Sequence, residues 1–178
     1  MNRVLVLICA LLAAGCQATP RAADSSPAST TVTTTFAVRG LEFQPEIVHD
    51  DEDRALGLQN RTAPDNGLML VFPTTSRHSL WMPNCPEDLE AWVISDSGVI
   101  LEVLQLPAEP ACQPGESTWQ YHARLPRHRA SYPARILWEF SAGTASQLEI
   151  RPGDQIIGSW SDVLAGSRYR SSDLTQSR

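Results

Sequence analysis

Between a turn signal at Pro64-Asp65-Asn66-Gly67 and a stop at Pro73 lies Leu68-Met69-Leu70-Val71-Phe72, an unbroken apolar run. Such a run, closed at both ends by turn residues, predicts a central buried strand, and the chain must build a sheet around it. Arg77 to Met82 is its expected partner. Leu89 to Ile94 and Val99 to Leu106 flank Asp96-Ser97-Gly98, which reads as a hairpin turn. Phe36 to Gly40 and Phe43 to Val48 are short strands broken by Gly40 and Pro45. Arg135 to Phe140 returns as a strand, and Gln155 to Gly158 closes as the last one. Helix is confined to two places. Asp50 is placed to cap a short helix through Arg54-Ala55-Leu56 that Gly57 ends, and Gly143 to Leu148 has room for a turn or two.

Pro107 to Pro133 is long, Pro-rich and irregular, with one strand expected at Thr118 to Ala123. Ser161 to Arg178 is polar and expected to fray. Short connections between successive strands favour antiparallel pairing. The expected fold is mainly β, a compact antiparallel β-sandwich or barrel-like single domain over residues 36–160 with one or two short helices. A chain of 178 residues, 42% hydrophobic, supports one such core without a metal.

The extreme N-terminus predicts location. Met1-Asn2-Arg3 is a short basic region, Val4 to Leu12 an apolar run too short to anchor permanently, and Ala13-Ala14-Gly15 small residues before Cys16. Residues 1–15 read as a secretion signal. Small residues directly before a cysteine resemble the bacterial lipobox, which implies lipidation of Cys16 as the first mature residue. Ala13 stands where leucine is commonest, and Gln17 rather than aspartate after the cysteine resembles sorting to the outer membrane. The alternative is ordinary cleavage and a soluble periplasmic protein. Ala18 to Thr35, rich in Ser, Thr, Ala and Pro, reads as a tether reaching about 20 to 25 Å. The mature chain carries 13 Arg against 20 Asp and Glu, a charge of −7 that argues against a nucleic-acid partner. The expected partners are the membrane through Cys16, and a small molecule, glycan or protein of the envelope.

Several blocks in order resemble one family. Arg54-Ala55-Leu56-Gly57-Leu58, Arg61, Gly67 to Phe72, Leu80-Trp81-Met82-Pro83-Asn84, and Ala142-Gly143-Thr144-Ala145 leading to Ile150-Arg151-Pro152-Gly153-Asp154 are similar to the family known as Domain of Unknown Function 192, over Ile47 to Ile157. The resemblance implies a compact β-sandwich or barrel-like domain, often exported, with no established activity. The family usually reads Trp-Met-Lys-Asn-Thr followed by Ile-Pro-Leu-Asp. Here Pro83 replaces the lysine, Cys85 the threonine, and Glu90 carries the later acid.

With Cys16 lipidated, Cys85 and Cys112 are the cysteines left in the domain. An oxidising periplasm then predicts a disulfide between them, stabilising by roughly 3 to 4 kcal/mol and pinning the Pro-rich loop to the Trp81 strand. A nucleophilic or metal-binding Cys85 is the alternative. His49, His78, His122 and His128 show no metal-ligand spacing, and Asp50 to Asp53 lacks the ordered oxygen ligands of a calcium loop, so neither metal nor cofactor is expected. No GxSxG, Walker loop or GxGxxG occurs.

The candidate ligand-binding group is Trp81, Met82, Asn84, Glu90 and Arg61, with Arg54 near. Together these would give an aromatic wall, an amide and a carboxylate for a small polar ligand. The bland reading makes Trp81 core, Asn84 a turn residue, and an arginine the partner of Glu90. Three functions follow: a non-catalytic module binding a ligand or partner; a hydrolase using Glu90 and Asn84; or a purely structural envelope lipoprotein. No catalytic residue is assigned.

Overall fold

A computed structural model describes residues 34–167. The leader, Cys16 and nearly all of the tether lie outside them. The fold is mainly β, as expected, with an open sheet rather than a closed barrel. Three short strands come first: β1 (Phe36–Val38), β2 (Leu41–Phe43) and β3 (Glu46–Val48). Helix α1 (Asp51–Leu56) follows. Asp50 caps it by accepting from the Asp53 amide at 2.8 Å, and Gly57 closes it. The apolar run becomes β4 (Leu68–Ser76), and β5 (Ser79–Leu80), β6 (Leu89–Ile94) and β7 (Ile100–Leu106) follow. Then come α2 (Thr118–Arg124), β8 (His128–Arg129), β9 (Ala134–Ser141), α3 (Thr144–Gln147) and α4 (Trp160–Gly166).

The main sheet has five strands in the order β3-β4-β9-β6-β7, with separate two-stranded pairs β1-β2 and β5-β8. Strands β3 and β4 pair in parallel, and the other neighbours in the main sheet are antiparallel. The parallel pair departs from the all-antiparallel expectation: α1 lies between the two strands, and a crossover returns the chain in the same direction.

Because β4, β9 and β6 are buried on both faces, their residues alternate between two cores. Met69, Val71, Trp92, Ile94, Ile136, Trp138 and Phe140 meet Phe36, Val38 and Phe43 of the β1-β2 hairpin and Trp160 and Val163 of α4 in an aromatic-rich core. Leu68, Leu70, Leu89, Ala91 and Leu137 point the other way, onto Leu58, Leu80, Met82 and Cys85. Each fully buried side chain of this kind contributes about 1.5 to 3 kcal/mol of transfer free energy.

Four local expectations are corrected. Arg77 to Met82 does not partner β4; only Ser79 and Leu80 are strand, and they pair with β8, while β9 takes the place beside β4. Thr118 to Ala123 is helix, because Ser117 and Gln120 form a reciprocal capping box that outweighs the β-leaning Trp119 and Tyr121. Gln155 to Gly158 makes only isolated bridges, Gln155 with Val99 and Ile157 with Ala37. Residues 160–166 do not fray, since Trp160 and Val163, three apart, bury one face of α4 in the aromatic core.

Candidate functional site

The alternation along β6 decides the fate of the predicted constellation. Leu89 and Ala91 face the Met82 and Cys85 side, so Glu90 between them faces the aromatic core. It is buried there, and its carboxyl accepts from the Gly143 amide at 2.9 Å, the Ala145 amide at 2.6 Å and the Trp92 indole at 3.0 Å. Glu90 therefore anchors the start of α3. The sheet separates it from Asn84, and the proposed pairing of Glu90 with Asn84 in a hydrolase does not form.

Trp81, Met82 and Asn84 do lie together, on the turn that leaves β5. Met82 is fully buried. Asn84 holds a positive φ of 52°, a conformation in which asparagine is favoured among non-glycine residues. Its amide donates to the Tyr121 hydroxyl at 2.8 Å, and its carbonyl accepts from the Asn60 amide at 2.9 Å. Asn84 is thus a structural corner. Trp81 is half-buried, with the Arg127 guanidinium 4.1 Å from its ring centre and the His122 ring edge-on at 4.6 Å. Arg61 is ion-paired with Glu46 at 2.8 Å, on the half-exposed side of the same loop region. Arg54, its side chain buried, bonds the carbonyls of His49 and Val71 and the Asp51 carboxylate.

The expected Cys85–Cys112 disulfide is not formed. Both thiols are free, Cys85 turned into the leucine-lined core and Cys112 exposed beside the Glu116 carbonyl at 3.5 Å. The Pro-rich loop is nevertheless held against the Trp81 turn by other means. Tyr121 of α2 is buried beneath Asn84, and His122 and Arg127 pack on Trp81.

Between α1, the segment after it and the Trp81 turn is a pocket lined by Leu58, Leu70, Leu80, Trp81, Met82, Cys85 and Glu139, among others. Its volume is about 30 Å³, room for about two waters. Glu139 comes from β9, where it sits opposite Leu68 and Ala91 on the face away from Trp138. Its carboxyl is buried, and Oε2 has no hydrogen-bond partner. Desolvation pushes its pKa up to about 7, opposed weakly by the charge on Arg61. The neighbouring Cys85 thiol is pushed up to about 11, by burial first and then by the Glu139 charge. Glu139 is the residue that sequence reasoning missed, although an acid inside the otherwise apolar run Ile136 to Phe140 is itself a signal. Among the described residues, no group of three or more His, Cys, Asp or Glu side chains is placed to hold a metal ion.

Compared with known families, residues 33–158 match the model of DUF192, described as Uncharacterized ACR. A structure from Sinorhizobium meliloti 1021, described as a candidate transcription regulator, aligns with a TM-score of 0.56 at 24% identity, over 71% of this chain and 92% of that one. A protein of unknown function from Novosphingobium aromaticivorans DSM 12444 aligns at 0.51 and 22% identity, over 70% and 81%. Both likenesses carry the fold alone. No curated protein matches the chain.

Proposed function

The chain belongs to the DUF192 family, and on that premise we propose that it is a lipid-anchored protein of the cell envelope whose domain holds a small ligand without transforming it. Cys16 carries the lipid, residues 18–35 form the tether, and the domain stands at the periplasmic face of the outer membrane. Support for the anchor comes from the small residues before Cys16, from Gln17, and from the Ser, Thr and Pro-rich stretch that follows.

The observation that carries the ligand-holding reading is Glu139 Oε2, a buried acceptor with no donor, on a carboxyl that lines the pocket. Such an atom costs roughly 1 to 3 kcal/mol until something donates to it. Holding is favoured over chemistry because Cys85, the only thiol or hydroxyl in the lining, stays protonated with its pKa near 11 and is a poor nucleophile. Glu90, the other acid considered, is committed to three donors on the far side of the sheet.

Two measurements test the two halves. Native mass spectrometry of the full chain extracted from membranes is expected to find a small molecule that the Glu139→Gln variant lacks. Identical spectra with nothing retained in either would reject the pocket as a binding site. Cys16→Ser is expected to move the protein from the outer-membrane fraction to the soluble periplasm, and retention in the membrane would reject the anchor.

A further inference from the structure

We propose that the pocket is a receptor for a primary alkylammonium group, with Glu139 as its counter-ion. This deepens the ligand-holding reading and rests on it. Among the described residues no cationic side chain hydrogen-bonds Glu139 Oε2, although the Arg61 charge acts on the carboxyl through space. Arg61 is engaged by Glu46 at 2.8 Å, and Arg54 by the Val71 carbonyl at 2.9 Å together with the His49 carbonyl and Asp51. Gln59, the amide in the lining, donates to the Ala55 carbonyl at 2.7 Å. A buried carboxyl without an internal partner is therefore open to a donor brought from outside.

The niche has a shape that selects the donor. A carbon placed where Gly57 would carry a Cβ lies 3.8 Å from Glu139 Oε2 and 3.7 Å from the Arg54 carbonyl oxygen, so the bare face of the glycine opens between two acceptors. A group entering there faces two acceptors, Glu139 Oε2 and the Arg54 carbonyl, and so needs at least two N–H donors, while Leu58, Leu70, Leu80, Met82 and Leu89 make the apolar part of the wall. An ammonium meets this condition and brings the positive charge that pairs with an ionised carboxylate, which a neutral primary amide lacks. The volume of about 30 Å³ fits a methylammonium-sized head, and the apolar walls suit a short alkyl stem. Trp81 at the lining adds an aromatic surface, one already in contact with Arg127.

The pairing requires ionised Glu139. The charged and titratable groups around it are Arg54 and Arg61 from α1 and the segment after it, and Cys85 from the turn after β5, with Glu46 beyond Arg61. Cys85, pushed up to about 11, stays neutral through the working range, so Glu139 is the group that switches.

The test titrates methylammonium into the full lipidated chain in detergent and follows the Met82 methyl and Gly57 amide resonances. Saturable shifts are expected at about pH 8, with affinity falling roughly thirtyfold by about pH 5.5 as a carboxyl titrating near 7 takes up its proton. Glu139→Gln is expected to abolish saturation; should that variant not fold, the pH profile of the natural chain decides. Acetamide is the comparison probe. Equal, pH-independent binding of acetamide overturns the ammonium assignment and leaves the ligand-holding reading standing, while no shift with either probe overturns both. A straight-chain diamine and a capped lysine, run in parallel, separate a free amine from a protein side chain as the source, and tighter binding of either one supports the proposal.

Discussion

Replacing Glu139 by glutamine should make the protein more stable at alkaline pH and no more stable at acid pH. In the unfolded chain the carboxyl titrates at its ordinary 4.5, and in the fold at about 7. Between those values the folded state binds more protons than the unfolded one, so stability contributed by the neutral acid is present below 4.5 and is lost as pH rises to about 7. The gap from 4.5 to about 7, at about 1.4 kcal/mol per pH unit, corresponds to about 3 kcal/mol. His78 works in the opposite direction, because burial lowers its pKa and the unfolded chain takes up the proton first. The difference between the two proteins cancels that contribution. Urea unfolding of natural and Glu139→Gln chains should therefore agree at about pH 4 and diverge by about 3 kcal/mol, in favour of the variant, at about pH 8. Parallel stability curves for the two proteins across this range would refute a raised titration of Glu139.

Three further outcomes are expected. Glu90→Ala removes the acceptor of two backbone amides and the Trp92 indole, and should cost about 3 kcal/mol in denaturant unfolding. Gly98→Ala, at φ 86°, drives a methyl into the Trp160 indole and the Ile156 carbonyl, and should release α4, seen as faster amide exchange over 160–166 and a loss of about 2 kcal/mol or more. Of the two domain cysteines, an alkylating reagent should modify Cys112 in the native protein and Cys85 only after unfolding without reductant; failure of both to react in denaturant would restore the disulfide.

Signals that act over a few residues were legible in the sequence. Asp50 and Gly57 bracket α1 because a cap and a stop are local chemistry, and the Asp96-Ser97-Gly98 turn joins β6 to β7 for the same reason. The Ser117 and Gln120 capping box was equally local and was outvoted by the aromatic content of the segment. Pairing was not legible. That β9 rather than Arg77 to Met82 lies against β4 depends on contacts more than sixty residues apart, such as Leu68 with Glu139. The candidate site failed in part for that reason: Glu90 follows Asn84 closely in sequence, yet the two-residue period of β6 turns it to the other face. Trp81 and Met82 line the pocket, and its acid comes from a strand whose register no local pattern reveals.

Trp138 and Glu139 are neighbours on β9 that look into opposite cores, Trp138 meeting Trp92 edge-to-face at 5.6 Å and Glu139 toward Leu70 and Met82. A slip of β9 by one residue would exchange them, placing the acid among aromatic rings and the indole in a slot sized for two waters. In strands that are apolar on both faces, such a slip would otherwise meet little resistance. Glu139, and Glu90 from the opposite face of β6, act as proofreaders of alignment: each is tolerable in one register and expensive in the next. A leucine at position 139 would relieve the buried acid and, by the same stroke, remove the penalty that tells the central strand which way round to lie.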